Sequence, residues 1–286
     1  MLNILNKIFS TTKNLNSINH RFIKLRRDTN IEKIFDAIES YSEEAEIRYV
    51  GGCVRKIINN EKVDDIDLAT NIEPTKVKEA LENKNINYFE TGIEHGTITA
   101  LIENDKFEIT SLRSDIKTDG RHAEIEFTTD WIKDAERRDF TINSIYADIN
   151  GNLFDPFNGK KDLEDGLIKF VGEPEKRIKE DYLRILRYFR FFALYSKNDH
   201  HAETKKIIKK NIVGIKKLSS ERLLDELKKT FKSNCFIKLC EVEFSYEIIC
   251  AVFPEFKQIE LFKKFNEYTK NNLYSLDFTF FLSLLI

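Results

Sequence analysis

The chain has 286 residues, 41% of them hydrophobic, with 46 Lys and Arg against 48 Asp and Glu. That is ample for a packed core in one large or two ordinary domains, while the near-neutral balance says little about partners. No apolar run approaches 18 residues, which excludes a membrane-spanning helix, and the cysteines (Cys53, Cys235, Cys240 and Cys250) form no CxxC or Cys/His metal spacing.

The distribution of charge is more informative than its sum. Residues 1–168 carry 23 basic and 32 acidic side chains, residues 169–240 carry 19 and 9, and residues 241–286 carry 4 and 7. An acidic segment followed by a basic one suits a metal and triphosphate site beside a polyanion-binding surface, though two solvated helical faces give the same pattern. Residues 1–27 hold Lys7, Lys13, Arg21, Lys24, Arg26 and Arg27 and no acid. They read as a basic N-terminal extension in a cytoplasmic protein. The alternative is a transit peptide, which implies the mitochondrial matrix.

Along the chain, Ile47–Val50 reads as a short strand entering Gly51-Gly52, followed by a helix through Val54, Ile57 and Ile58. Asp65–Ala69 alternates polar and apolar as a half-buried strand does. Pro74 opens a helix with Val77, Ala80 and Leu81 on one face. Thr97–Ile102 and Phe107–Leu112 are two further strands. Arg113–Glu124 lacks apolar periodicity and reads as a loop, and Asn150-Gly151 marks a hairpin. From Pro174 to Tyr195 the pattern predicts one helix, and helical patterns recur near 200–211, 219–232 and 235–250.

Asp65 and Asp67 are two apart on a strand, so they share a face opposite Ile66 and Leu68. Such carboxylates repel unless a cation neutralises them, and hard oxygen ligands suit Mg²⁺. Alternation sends Glu108 to the face opposite Phe107 and Ile109. Gly51 and Gly52 let backbone N–H groups approach a phosphate, and Arg55 lies one helical turn on. Together Asp65, Asp67 and Glu108 with this cradle suggest two-metal phosphoryl transfer, with Asp65 and Asp67 as the metal ligands.

Gly51-Gly52-Cys53-Val54-Arg55 followed by Asp65-Ile66-Asp67-Leu68-Ala69-Thr70 resembles motif A of the class II CCA-adding tRNA nucleotidyltransferases and bacterial poly(A) polymerases, in the polymerase-β-like superfamily. His95-Gly96-Thr97, Asp119–Ala123, Arg137–Asn143, Asp155–Gly159, Glu180–Arg184 and Glu221–Glu226 extend the resemblance over roughly residues 46–232. One departure is Lys56, where the family usually has Asp.

The resemblance implies an α+β fold, with a small mixed-sheet nucleotidyltransferase head followed by an all-α neck and body. The expected divisions are 1–30 (extension), 31–172 (head), 173–232 (neck, binding nucleobase and tRNA) and 233–286 (a truncated helical body). The implied reaction adds CMP and AMP to the tRNA acceptor end from CTP and ATP, without a template. A poly(A) or A-adding polymerase and an inactive RNA-binding relative are the alternatives. Arg137, Arg138 and Asp139 resemble the motif that contacts the ribose 2′-hydroxyl. Asp119–His122 resembles the flexible segment needed for A addition.

Asp181 and Arg184 would act as the protein template, with Arg187 and Arg190 further round the helix. A carboxylate accepts and a guanidinium donates, which matches the amino group and ring nitrogen of cytosine and of adenine and opposes uracil and guanine. The matched pair is worth roughly 1–3 kcal/mol. The lysine pairs between Lys205 and Lys229 suit a sequence-independent phosphate track.

Overall fold

The computed structural model describes residues 17–118, 123–233 and 235–286. The Asp119–His122 segment expected to switch nucleotide choice lies outside the described residues. Two compact units are distinguished, one of residues up to Lys117 with Ala123–Glu164, the other of Asp165–Ile286.

The first unit opens with α1 (residues 17–28) and α2 (Ile31–Glu39). Its sheet is built from β1 (Ile47–Val50), β2 (Ile66–Thr70), β3 (Asn87–Gly92), β4 (Thr97–Ile102), β5 (Asp105–Ser111), β8 (Tyr146–Ala147) and β9 (Leu153–Phe154). The strand order is β3-β4-β5-β2-β1-β8-β9. β2 and β5 run parallel and the other pairs antiparallel, so the sheet is mixed. The Asn150-Gly151 turn forms as expected, with Gly151 at φ +85° between β8 and β9.

Alternation then decides what each face meets. Leu68, Ile98, Ala100, Phe107 and Ile109 point into a core with α2, α3 (Gly52–Ile58) and α4 (Pro74–Asn83). Ile18 and Phe22 of α1 are 2% and 0% exposed in that same core, and the Phe22 ring lies 5.1 Å from Tyr49. The residues read as a basic N-terminal extension thus include a helix, α1, that packs into the head core. The opposite face carries a smaller cluster of Val50, Ala69, Leu112, Ala135 and Tyr146, under Trp131 of α5 (Trp131–Glu136).

Two sequence expectations are corrected. Arg113–Glu124 is not a plain loop: β6 (Arg113–Thr118) and β7 (Ala123–Phe127) pair as a separate two-stranded sheet. The helix expected from Pro174 to Tyr195 is broken into α7 (Pro174–Glu180) and α8 (Leu183–Tyr195). Asp181 is extended at φ −153° at the end of α7, and its Oδ1 accepts from the Leu183 N–H at 3.1 Å across the break.

After α6 (Gly159–Asp165), which ends at the boundary, the second unit is helical as expected. It contains α7, α8, α9 (Ala202–Asn211), α10 (Ser220–Lys232), α11 (Phe236–Glu241), α12 (Glu243–Val252), α13 (Glu267–Leu273) and α14 (Phe278–Ser283). α8 packs on α10 and α11. Its Phe189 and Phe192 surround His200 with Phe244, while Phe231, Phe236, Phe262 and Phe281 form a second aromatic centre.

Candidate active site

The parallel pairing of β2 and β5 sets Asp67 directly opposite Glu108. Ile66 and Leu68 beside Asp67, and Phe107 and Ile109 beside Glu108, are all buried in the main core, so both carboxylates leave by the other face. Asp65 sits at the bend entering β2 and is exposed. Burial, then the Glu108 charge, pushes the Asp67 carboxyl up to about 6, and Asp65 adds to this while Arg138 and Arg55 oppose it. A carboxylate held that high beside others is short of positive charge, as at a cation site.

The glycines adjoin this acid. Gly51 caps α3 at φ +63°, a conformation that disfavours a side chain. A methyl group on Gly52 would lie 3.6 Å from Asp67 Oδ2 and 3.8 Å from Arg55 Nη2, so the backbone passes close to both groups. Arg55 is 7% exposed and donates through Nη1 to Asn143 Oδ1. Asn143 in turn donates to Asp139 Oδ1 at 2.9 Å. Lys56, the departure from the family pattern, pairs with Asp64 at 3.1 Å.

Arg137 and Arg138 converge on Asp134, which sequence reasoning missed. Arg137 Nε donates to Asp134 Oδ1 at 2.8 Å, while Arg138 Nη2 and the Tyr146 hydroxyl donate to Oδ2 at 3.0 and 2.6 Å. Although burial opposes ionisation, the two guanidinium groups hold the Asp134 carboxyl far below the usual carboxylate range. The signal was legible: Asp134 stands three and four residues before the arginines, the spacing of neighbours on a helix. Arg138 also borders the glycine turn, its Nη1 being 3.3 Å from where a Gly51 methyl group would sit.

In the helical unit, Asp181 Oδ2 accepts from Arg222 Nη2 at 2.8 Å. Arg184 Nη1 donates to Glu180 Oε2 at 2.7 Å and to the Arg177 carbonyl at 2.9 Å. Arg222 is thus the orienting partner of Asp181, and Glu180 that of Arg184. Arg187 lies 5.5 Å from the Phe191 ring. Arg190 is tied to the buried Glu226 at 2.6 Å, which makes it a bolt between α8 and α10. Several expected phosphate-track lysines are ion-paired: Lys205 with Asp199 at 3.1 Å, Lys209 with Glu247 and Lys210 with Glu175 at 2.8 Å each.

Among the described residues no three His, Cys, Asp or Glu side chains converge as a ready cage for a metal ion. A pair of carboxylates on an exposed face suits Mg²⁺ better than a closed cage does, because that ion keeps waters and substrate phosphates as ligands.

The chain is similar to known proteins in sequence and fold. The Poly A polymerase head domain model matches residues 47–169, and the probable RNA and SrmB-binding site of polymerase A matches 201–259. The human protein named CCA tRNA nucleotidyltransferase 1, mitochondrial, is 50% identical over 195 residues, which is 67% of this chain and 45% of that protein. The CCA-adding enzyme of Staphylococcus saprophyticus is 35% identical over 246 residues, covering 83% of this chain and 57% of that enzyme. The chain thus spans about half the length of these curated relatives. The solved Bacillus stearothermophilus CCA-adding enzyme in complex with CTP shares the fold, with a TM-score of 0.66 at 22% identity over 88% of this chain and 66% of that one.

Proposed function

Because this chain belongs to the polymerase-β-like nucleotidyltransferase family that contains the CCA-adding enzymes, we propose that it adds CMP and AMP to the 3′ end of tRNA from CTP and ATP, releasing pyrophosphate. The observation that carries this reading is the register that sets Asp67 beside Glu108, with Gly52 against the Asp67 carboxylate.

Asp65 and Asp67 would hold divalent metal, Mg²⁺ by the hardness of their oxygens, and Glu108 completes the acidic face. Bound there, the cation supplies charge neutralisation at the transferring phosphoryl group and a more acidic attacking hydroxyl. The protein's own groups do the rest. Gly51 and Gly52 leave room for phosphate oxygens at the backbone, and Arg55, fixed by Asn143, donates to the triphosphate. Arg137, Arg138 and Asp139 take the ribose and its 2′-hydroxyl.

Asp181 and Arg184 read the base. A carboxylate has about four acceptor sites and a guanidinium five N–H donors. The ties to Arg222 and Glu180 therefore orient both groups and leave capacity for the amino group and ring nitrogen of cytosine or adenine. Arg187, on the same helix, supports the nucleotide site by its charge. The basic helices contact the tRNA backbone. A mitochondrial location is supported by the human relative, which is named as a mitochondrial protein. Because Phe22 is enclosed by the head core, any leader removed on import ends before α1.

The test is stepwise extension of tRNA lacking its last three nucleotides, with CTP alone, ATP alone and both. Two CMP with CTP alone, and CCA only with both, is expected. Repeated AMP addition with ATP alone would reassign the chain to poly(A) synthesis, and no incorporation under any condition would make it an inactive relative.

A further inference from the structure

The sheet face that carries the acids continues past them. Register sets Asp67 against Glu108, Glu108 against Thr99, and Thr99 against Phe89, so one row crosses β2, β5, β4 and β3. Directly paired residues share a face, which puts Phe89 on the side of the carboxylates. Its neighbour Tyr88 turns the other way, packing on the main core with its hydroxyl on Glu82 at 2.6 Å. Two strand spacings, about 10 Å, separate Phe89 from Glu108. Phe89 is 56% exposed and meets no other ring among the described residues. Lys106, two residues before Glu108 and on the same face, is exposed and forms no ion pair among the described residues. The Trp131 cluster covers this face around β1, β8 and β9 and leaves Glu108, Lys106 and Phe89 in solvent. In-line transfer decides which substrate that open half receives, because attacking and leaving oxygens lie on opposite sides of the phosphorus. The glycine turn follows β1, on one side of β2, and Glu108 is on β5, on the other. With the triphosphate at the glycines, the attacking 3′-hydroxyl comes from the β5 side, and the RNA leading to it crosses β4 and β3.

We propose that Phe89 is a stacking platform for a base at the 3′ end of the RNA primer, with Lys106 meeting a phosphate of the same strand. Every base has a π-face, so a ring holds the successive ends that stepwise addition creates without choosing among them. A lone exposed phenylalanine is ordinary on a protein surface. Its place in the row of acids, beside an exposed cation that complements phosphate, is what gives this one an occupant. The identification of the strand as a primer rests on the function proposed above.

CMP incorporation is measured on tRNA lacking its last three nucleotides, with KM determined separately for tRNA and for CTP. Phe89→Ala should raise KM for tRNA about 10-fold, the loss of one stacked base, while KM for CTP and the melting temperature stay at wild-type values. Phe89→Trp should keep the wild-type KM, and Phe89→Leu, apolar but without a ring face, should match the alanine variant. Lys106→Met should weaken tRNA binding and make it less steeply dependent on salt. A second readout needs no turnover. An acceptor-stem hairpin ending in 2-aminopurine, a base whose fluorescence is quenched by stacking, should dim on the wild-type chain without CTP and stay bright on saturating Phe89→Ala. An unchanged KM for tRNA in Phe89→Ala, a wild-type KM in Phe89→Leu, or equal rises for tRNA and CTP overturns the proposal. A wild-type chain that incorporates CMP but leaves the probe bright sinks this inference alone, and one that does neither sinks the functional reading with it.

Discussion

Single side chains here divide into those that carry charge toward a substrate and those that hold them. Asp67 and Glu108 gather negative charge on one sheet face, and Asp134 gathers Arg137 and Arg138. Arg190 belongs to the second group. It was expected among the nucleotide ligands by its place on the helix, yet its Nε is tied to Glu226, which is 2% exposed. Glu226→Ala leaves a guanidinium buried without its acid and should cost about 3 kcal/mol in urea unfolding. Replacing both partners by leucine should cost far less, because no charge is then stranded. Equal losses in the two variants would show that packing, and not the ion pair, joins α8 to α10. Sequence could place these residues on a helix but could not say which arginine meets a partner 36 positions away.

At the scale of elements, what the sequence showed well was what repeats locally. The alternation in β4 and β5, the Pro74 helix start and the Asn150-Gly151 turn form as read, because each is dictated by side-chain period or backbone freedom, whereas β2 starts at Ile66 and leaves Asp65, read as part of that strand, in the bend before it. The break between α7 and α8 was hidden because Asp181-Tyr182 contains neither Gly nor Pro. It coincides with the extended backbone of Asp181 and with the Tyr182 ring lying against Gly214, where a methyl group would come within 2.0 Å of Tyr182 Cε1. The β6–β7 hairpin was hidden because a two-stranded sheet buries too little to impose an apolar period. α1 was hidden by its charge: its basic residues mask Ile18 and Phe22, which enter the core. Phe22→Ala should therefore destabilise the head by about 3 kcal/mol, as a large-to-small core substitution does. The fluorescence of Trp131, the only tryptophan, reports this unit. A change below about 0.5 kcal/mol would mean that α1 is dispensable to the head.

For the molecule as a whole, a buried histidine in the helical unit makes stability depend on pH. His200 is 5% exposed, stacked on Phe192 at 3.5 Å, with Nδ1 and Nε2 paired to the Tyr188 and Ser245 hydroxyls at 3.0 and 2.8 Å. Burial lowers its pKa to about 4. Between that value and the ordinary one near 6.5, the unfolded chain binds the proton and the folded chain does not. Stability of the helical unit is therefore full above about pH 7 and should fall by about 3 kcal/mol as pH drops through 6.5 toward 4. Urea unfolding followed by far-ultraviolet circular dichroism across that range should show the loss, and His200→Gln should flatten it. A slope unchanged in that variant would assign the pH response to other groups. The proposed function, by contrast, rests on acids in the head. The most direct test is pyrophosphate release from CTP on tRNA lacking its CCA, comparing Asp67→Asn with wild type in Mg²⁺. Loss of several kcal/mol of charge stabilisation should slow release by roughly 10²-fold or more, with no fall in melting temperature because a repelling carboxylate has been removed. Release at the wild-type rate by Asp67→Asn, or in excess chelator, would contradict the account.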